Sequence, residues 1–191
     1  MIAEKTTAST LTYEQYLAEG EINRRYEIID GVRLWMSNPT VRHQDVLFNI
    51  AAALKKFGQM SGIGRMVVAA CDILITYVPL KTRQPDILFI SHARFGDRDP
   101  LDPSALTIAP ELVVEVLSPS DTKRVLENKL RDYCAVGIRE CWIVNTDEET
   151  VQILRLTPNG EQSVGLYHEG ETIASLAFPT LSLSVSDYFA L

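Results

Sequence analysis

Two carboxylates in this sequence stand where carboxylates are costly. Glu115 lies within Val113-Val114-Glu115-Val116-Leu117. Strand alternation puts it on the same face as Val113 and Leu117. A carboxylate there is buried, and burying an unpaired charge is expensive. It therefore needs a metal ion, a basic side chain or a shared proton, and a plain buried ion pair with Arg or Lys stays open. Asp86 follows Pro85 and opens a second apolar strand, Asp86-Ile87-Leu88-Phe89-Ile90. Two carboxylates on neighbouring strands repel unless a cation lies between them. Oxygen-only ligation favours a hard ion, Mg²⁺ or Mn²⁺, over zinc. Such an ion can position water and stabilise charge on a phosphoryl group. Lys129, on the helix expected after Glu115, could bind a phosphate or orient the attacking water. The plain alternative for Lys129 is a solvated surface lysine.

The elements that must hold these residues are legible from pattern. Thr12-Tyr13-Glu14-Gln15 fits a capping box, so a short helix is expected from Thr12 to about Glu19. Asp30-Gly31 between β-rich flanks predicts a hairpin over Tyr26–Met36. Val46, Leu47, Ile50, Ala51, Leu54 and Phe57 have helical spacing, which predicts a helix over Val41–Phe57 with Gly58 as its stop. Strands are expected over Met66–Ala70, Asp72–Val78 and Pro85–Ile90, with a loop at Pro79–Gln84. Residues 91–110, with Gly96, Pro100, Pro103 and Pro110, predict a long irregular loop. Glu111–Leu117 predicts a central strand buried on both faces. A helix capped by Asp121 or Thr122 should run to Val136 and end at Gly137, before a strand at Cys141–Val144. Strand, helix and strand in this order form a βαβ unit with parallel strands. Val151–Leu156 and later short strands should complete the sheet, with Val185–Phe189 as a cover. The fold class is a mixed α/β sheet flanked by helices.

Composition bounds the rest. At 191 residues the chain suits one domain over 1–191, with 1–10 expected to be flexible. No apolar run reaches ~18 residues, so no membrane span is expected. Met1–Thr10 carries Glu4 and no apolar core, so it does not resemble a signal peptide, and a cytoplasmic location is expected. Cys71, Cys134 and Cys141 have irregular spacing, which argues for reduced thiols rather than a disulfide or zinc framework. Net charge is −7, against the usual sign for a nucleic-acid binder. The whole excess falls in residues 140–191, where Arg155 is the one basic residue. Residues 1–139 are balanced, and Lys55-Lys56, Lys81 with Arg83, and Lys123-Arg124 are only short clusters.

Pro85-Asp86, followed by an apolar strand carrying Glu115, resembles the PD-(D/E)XK nuclease motif. More closely, the chain resembles the Uma-two family of endonucleases. The resemblance rests on Arg25-Tyr26-Glu27-Ile28-Ile29-Asp30-Gly31, Arg42-His43-Gln44, Pro85-Asp86, Pro110 through Ser120, Lys129-Leu130, Tyr133, and Gly137 through Trp142. It spans about Leu11 to Phe189. It implies a restriction-endonuclease-like core with an N-terminal hairpin and C-terminal β additions. It implies a metal-dependent DNA endonuclease using Mg²⁺ or Mn²⁺. Asp86 and Glu115 match the metal carboxylates, Glu27 an upstream acidic position that could join them, His43 a histidine opening the first core helix, and Lys129 a lysine displaced onto the next helix.

Two positions depart from the pattern. Leu117 stands where the E-x-K motif has lysine, and Asn145 follows the Trp142 strand where aspartate is common, with local capping as its expected role. Leu117 and the modest basic content favour the competing expectation, a non-catalytic nucleic-acid-binding or assembly module. Hydrolysis of another phosphate ester is a third, weaker expectation. From the residues alone, His43 could equally cap or pack, and Glu27 could pair with Arg24 or Arg25. DNA is the expected partner, and a homodimer is left open.

Overall fold

Thr12 begins the first helix with a complete capping box: its side chain accepts from the Gln15 N–H, and the Gln15 side chain accepts from the Thr12 N–H. The computed structural model describes residues 10–20, 22, 24–69, 71–99, 106–118 and 121–190, so the expectation for residues 1–9 lies outside the described residues. That helix, α1, spans Tyr13–Ala18. β1 (Tyr26–Ile29) and β2 (Val32–Trp35) form the expected hairpin. Asp30 and Gly31 both have positive φ, 52° and 77°, as a two-residue hairpin turn requires.

Helix α2 spans Val41–Ser61 and runs past the expected stop at Gly58, ending instead at Gly62, whose φ of 64° suits a C-cap. Gly58 is a packing glycine. A Cβ there would meet the Gly64 carbonyl oxygen at 2.8 Å and the Phe89 ring at 3.3 Å. β3 (Gly64–Val68) and β4 (Ile73–Tyr77) follow. The segment expected as a loop at 79–84 contains a strand, β5 (Leu80–Arg83), paired with both β4 and β1. Polar Lys81, Thr82 and Arg83 hide it, because two of its three buried positions, Thr82 and Arg83, are polar. β6 (Ile87–Ser91) leads into a short helix, α3 (His92–Phe95), inside the expected long loop.

β7 (Leu112–Val116), α4 (Lys123–Val136) and β8 (Glu140–Asn145) form the βαβ unit, and β7 and β8 pair in parallel. Thr122 caps α4 and Gly137, at φ 84°, ends it. β9 (Thr150–Thr157), β10 (Gly160–Tyr167), β11 (Thr172–Ala174), β12 (Ser182–Ser184) and α5 (Ser186–Phe189) complete the chain. Asn145 caps the β8–β9 turn, accepting from the N–H groups of Asp147 and Glu148.

The strands form a mixed six-stranded sheet in the order β10-β9-β8-β7-β6-β3, a four-stranded sheet β2-β1-β5-β4, and the pair β11-β12. β7 sits inside the larger sheet with every residue buried. Leu112, Val114 and Val116 pack with Val46, Ile50 and Leu54 of α2. Val113 packs with Leu130 and Tyr133 of α4. A central strand covered on both faces explains the nearly continuous apolar run, and makes Glu115 its one costly residue. A third cluster, Tyr16, Tyr26, Ile28, Leu74 and Leu80, holds α1 against the smaller sheet. Among the described residues no helix is long and apolar enough to cross a membrane.

Candidate active site

β6 and β7 bring the two costly carboxylates together. Ile87 pairs with Val114 in antiparallel register, which carries Asp86 to the position opposite Glu115. Both are buried, at 4% and 5% exposure. They form the floor of a cavity of about 330 Å³, walled by Leu34 and Met36 from the hairpin and by Val125 from α4.

Each carboxylate has its own counter-ion. Lys129 Nζ lies 2.8 Å from Glu115 Oε2 and 3.7 Å from Glu27 Oε1. Tyr133, one helical turn further along α4, donates a short hydrogen bond to the other Glu115 oxygen. Lys129 is therefore not the surface lysine that spacing alone favours. It is buried, on the face of α4 turned to β7. Asp86 Oδ1 accepts from Arg25 Nη1 at 2.8 Å, and Oδ2 accepts from the Val116 N–H at 2.8 Å. His43 Nε2 lies 3.5 Å from Asp86 Oδ2. Its backbone N–H is taken by the Thr40 cap, so the cap and the site share this residue.

Glu27 is held by a residue that the sequence reading passed over. Arg83 of β5 donates to Glu27 Oε2 at 2.6 Å and to Asp132 Oδ2 at 2.8 Å, while Lys81 reaches Asp132 Oδ1 at 3.2 Å. The Glu27 partner is thus Arg83, not neighbouring Arg24 or Arg25. Arg83 does not stand out in the sequence, because Pro79–Gln84 has the polar pattern of a loop. Tyr133 had a usable signal: it stands four residues after Lys129, so both must share one helix face.

Electrostatics differ between the two floor carboxylates. Burial would raise the Asp86 carboxyl, but the His43 contact, the Arg25 charge and the Val116 N–H outweigh it and hold it below the usual range. Burial pushes the Glu115 carboxyl up; Lys129 opposes this, and the negative charge of Asp86 adds to it. Burial would lower the Lys129 ammonium, yet Glu115 and Glu27 together raise it, so it stays protonated. The three cysteines are free, with Cys134 and Cys141 buried.

All five expected site residues, Glu27, His43, Asp86, Glu115 and Lys129, thus line one cavity. A crystal structure described as a putative nuclease belonging to DUF820, from Anabaena variabilis ATCC 29413, superposes with a TM-score of 0.77 over 94% of this chain and 97% of that one, at 20% sequence identity. The profile of the Uma2 family, described as putative restriction endonuclease, matches residues 12–186, and the chain belongs to that family. No curated protein matches the sequence.

Proposed function

We propose that this chain is a metal-dependent DNA endonuclease, one domain over residues 1–191, hydrolysing phosphodiester bonds at the floor of the cavity between β2 and α4. What supports this most is the meeting of Asp86, immediately before β6, with Glu115 of the paired strand β7, with Lys129 2.8 Å from Glu115. The family match supports the reaction class.

The residues present fit a hard divalent cation, Mg²⁺ or Mn²⁺. Asp86 and Glu115 offer oxygen only. Among the described residues no group of three or more His, Cys, Asp and Glu is arranged to hold a metal. Magnesium is commonly held this way, by one or two carboxylates, with water and substrate phosphate filling the shell. Asp86 and Glu115 would hold the ion, which supplies an acidified water and stabilises charge on the phosphoryl group. Glu27, the third candidate ligand, is paired with Arg83 and lies 3.7 Å from Lys129 Nζ, and we assign it to positioning Lys129. The Lys129 ammonium, kept charged by its two carboxylates, orients the attacking water or meets charge developing on a phosphate oxygen. It takes the part of the lysine absent at Leu117. His43 lies 3.5 Å from Asp86 Oδ2 and helps to fix that oxygen.

A second reading, a non-catalytic nucleic-acid-binding module, is favoured by one observation. The carboxylates of Glu27, Asp86, Glu115 and Asp132 are matched by Arg25, Lys81, Arg83 and Lys129, so the cluster is charge-balanced without a metal. Incubation of supercoiled plasmid with the protein in Mg²⁺ or Mn²⁺, against EDTA, separates the two. Nicking or linearisation that needs the metal supports the nuclease. Binding without cleavage under every metal condition supports the module.

A further inference from the structure

Arg25 has a place in the cavity that the expected site residues leave unexplained. Its Nη1 lies 2.8 Å from Asp86 Oδ1, and its Nη2 donates to the Gln84 carbonyl at 3.2 Å. Its Nε is buried with no hydrogen-bond partner. The cations on Glu27 and Glu115, Arg83 and Lys129, have side chains 6% and 7% exposed, whereas that of Arg25 is 24% exposed, close to the 23% of Lys81 on Asp132. Arg25 immediately precedes β1, and its carbonyl accepts from the Met36 N–H, so its backbone is held by the hairpin.

The two oxygens of Asp86 are held differently. Oδ2 is fixed by the Val116 N–H and by His43. Oδ1 is held by Arg25. Oδ1 is therefore the oxygen that can change partners. A divalent ion on it would meet the guanidinium charge at close range, a repulsion that is large where water is scarce. The planar fork of an arginine matches a phosphate as well as it matches a carboxylate.

We propose that Arg25 and the divalent cation compete for Asp86 Oδ1, and that the displaced guanidinium becomes the binding group for the substrate's phosphodiester. This rests on the reading of Asp86 as a metal ligand. It makes metal and phosphodiester bind with positive coupling. Metal entry frees the arginine for the phosphate, and the phosphate offsets the added positive charge. By linkage each ligand tightens the other by the same factor.

The test is calorimetric titration of the intact chain with Mn²⁺ alone, and again in excess dimethyl phosphate, a diester too small to need the rest of a nucleic acid. Wild type should bind Mn²⁺ more tightly with dimethyl phosphate present. Arg25→Gln should bind Mn²⁺ alone about tenfold more tightly than wild type, because the competing charge is gone. It should also lose the effect of dimethyl phosphate. A merely structural arginine would give the opposite sign for the metal. Arg25→Lys keeps the charge without the fork, and serves if Arg25→Gln fails to fold. It should bind Mn²⁺ as wild type does and show a weakened phosphate effect.

Unchanged or weaker Mn²⁺ binding by Arg25→Gln, or a phosphate effect that survives in both variants, overturns the proposal. If wild type cleaves plasmid and binds Mn²⁺ while Arg25→Gln behaves like wild type, the nuclease reading stands and the role of Arg25 falls. If wild type binds no Mn²⁺ with or without dimethyl phosphate, both fall together.

Discussion

Lys129 bridges Glu115 and Glu27, at 2.8 Å and 3.7 Å, from a helix that follows the Glu115 strand in sequence. Leu117 stands where the E-x-K pattern has lysine, and the lysine that does contact Glu115 comes fourteen positions after it. The bridge also makes Lys129 structural, because three charges are buried at once.

Removing one member of such a group leaves the others uncompensated. Lys129→Met should lower unfolding stability by about 3–5 kcal/mol at neutral pH. The double variant Lys129→Met, Glu115→Gln should be less destabilised than Lys129→Met alone, because the stranded carboxylate is gone. Urea unfolding of both variants and wild type checks this. A double variant that is the sum of two large losses would contradict the pairing.

The pH dependence of Lys129→Met follows with a definite sign. Glu115 is already held above the usual carboxylate range by burial and Asp86, and losing Lys129 pushes it further up. A group with a raised folded-state pKa contributes stability below its unfolded value that is lost as pH rises through the folded one. The deficit of Lys129→Met against wild type should therefore be small near pH 4 and grow toward neutrality. Melting temperatures of the two proteins across that range test it. A deficit that is constant with pH would count against a buried, ionising Glu115.

The same raised carboxyl sets an acid limit on metal binding, since ligands must be deprotonated. Mn²⁺ affinity should begin to fall at a pH above the ordinary glutamate value of ~4.3. Asp86, held low by His43, Arg25 and the Val116 N–H against the effect of burial, should not set that limit. Titration calorimetry between pH 4 and 8 reads this directly. Affinity that stays level down to the ordinary glutamate value would show that Glu115 is not a ligand.

Much of this was legible in the sequence, for reasons tied to particular residues. The β7–α4–β8 unit was readable because its strands are apolar and its helix carries Thr122 and Gly137 at the ends. Glu115 was conspicuous because a charge interrupts a strand that is otherwise apolar. β5 was not readable, since Thr82 and Arg83 are buried yet polar and their partners, Ile28, Glu27 and Asp132, lie far away in sequence. The role of Arg25 was hidden in the same way: its contact with Asp86 spans 61 positions. Gly58 misled because a glycine that ends a helix and one that lets a helix approach a strand look alike in sequence.

Gly58 gives a stability test of that last point. Glycine to alanine inside a helix ordinarily stabilises by up to ~1 kcal/mol. Here the new methyl would lie 2.8 Å from the Gly64 carbonyl oxygen, on the neighbouring β3 backbone. Gly58→Ala should therefore destabilise, by about 1–3 kcal/mol. Thermal unfolding distinguishes the two signs, and a stabilised variant would mean that α2 does not pack this closely on β3.

In the proposed function, Asp86 and Glu115 together hold the ion on which cleavage depends. This is tested most directly by metal-dependent cleavage of supercoiled plasmid by wild type, Asp86→Asn and Glu115→Gln, with circular dichroism confirming that each variant is folded. An amide binds hard cations poorly, so each variant should lose cleavage by about a hundredfold or more, as for loss of a group acting in the transition state. Folded Asp86→Asn or Glu115→Gln protein that cleaves at the wild-type rate would contradict the assignment.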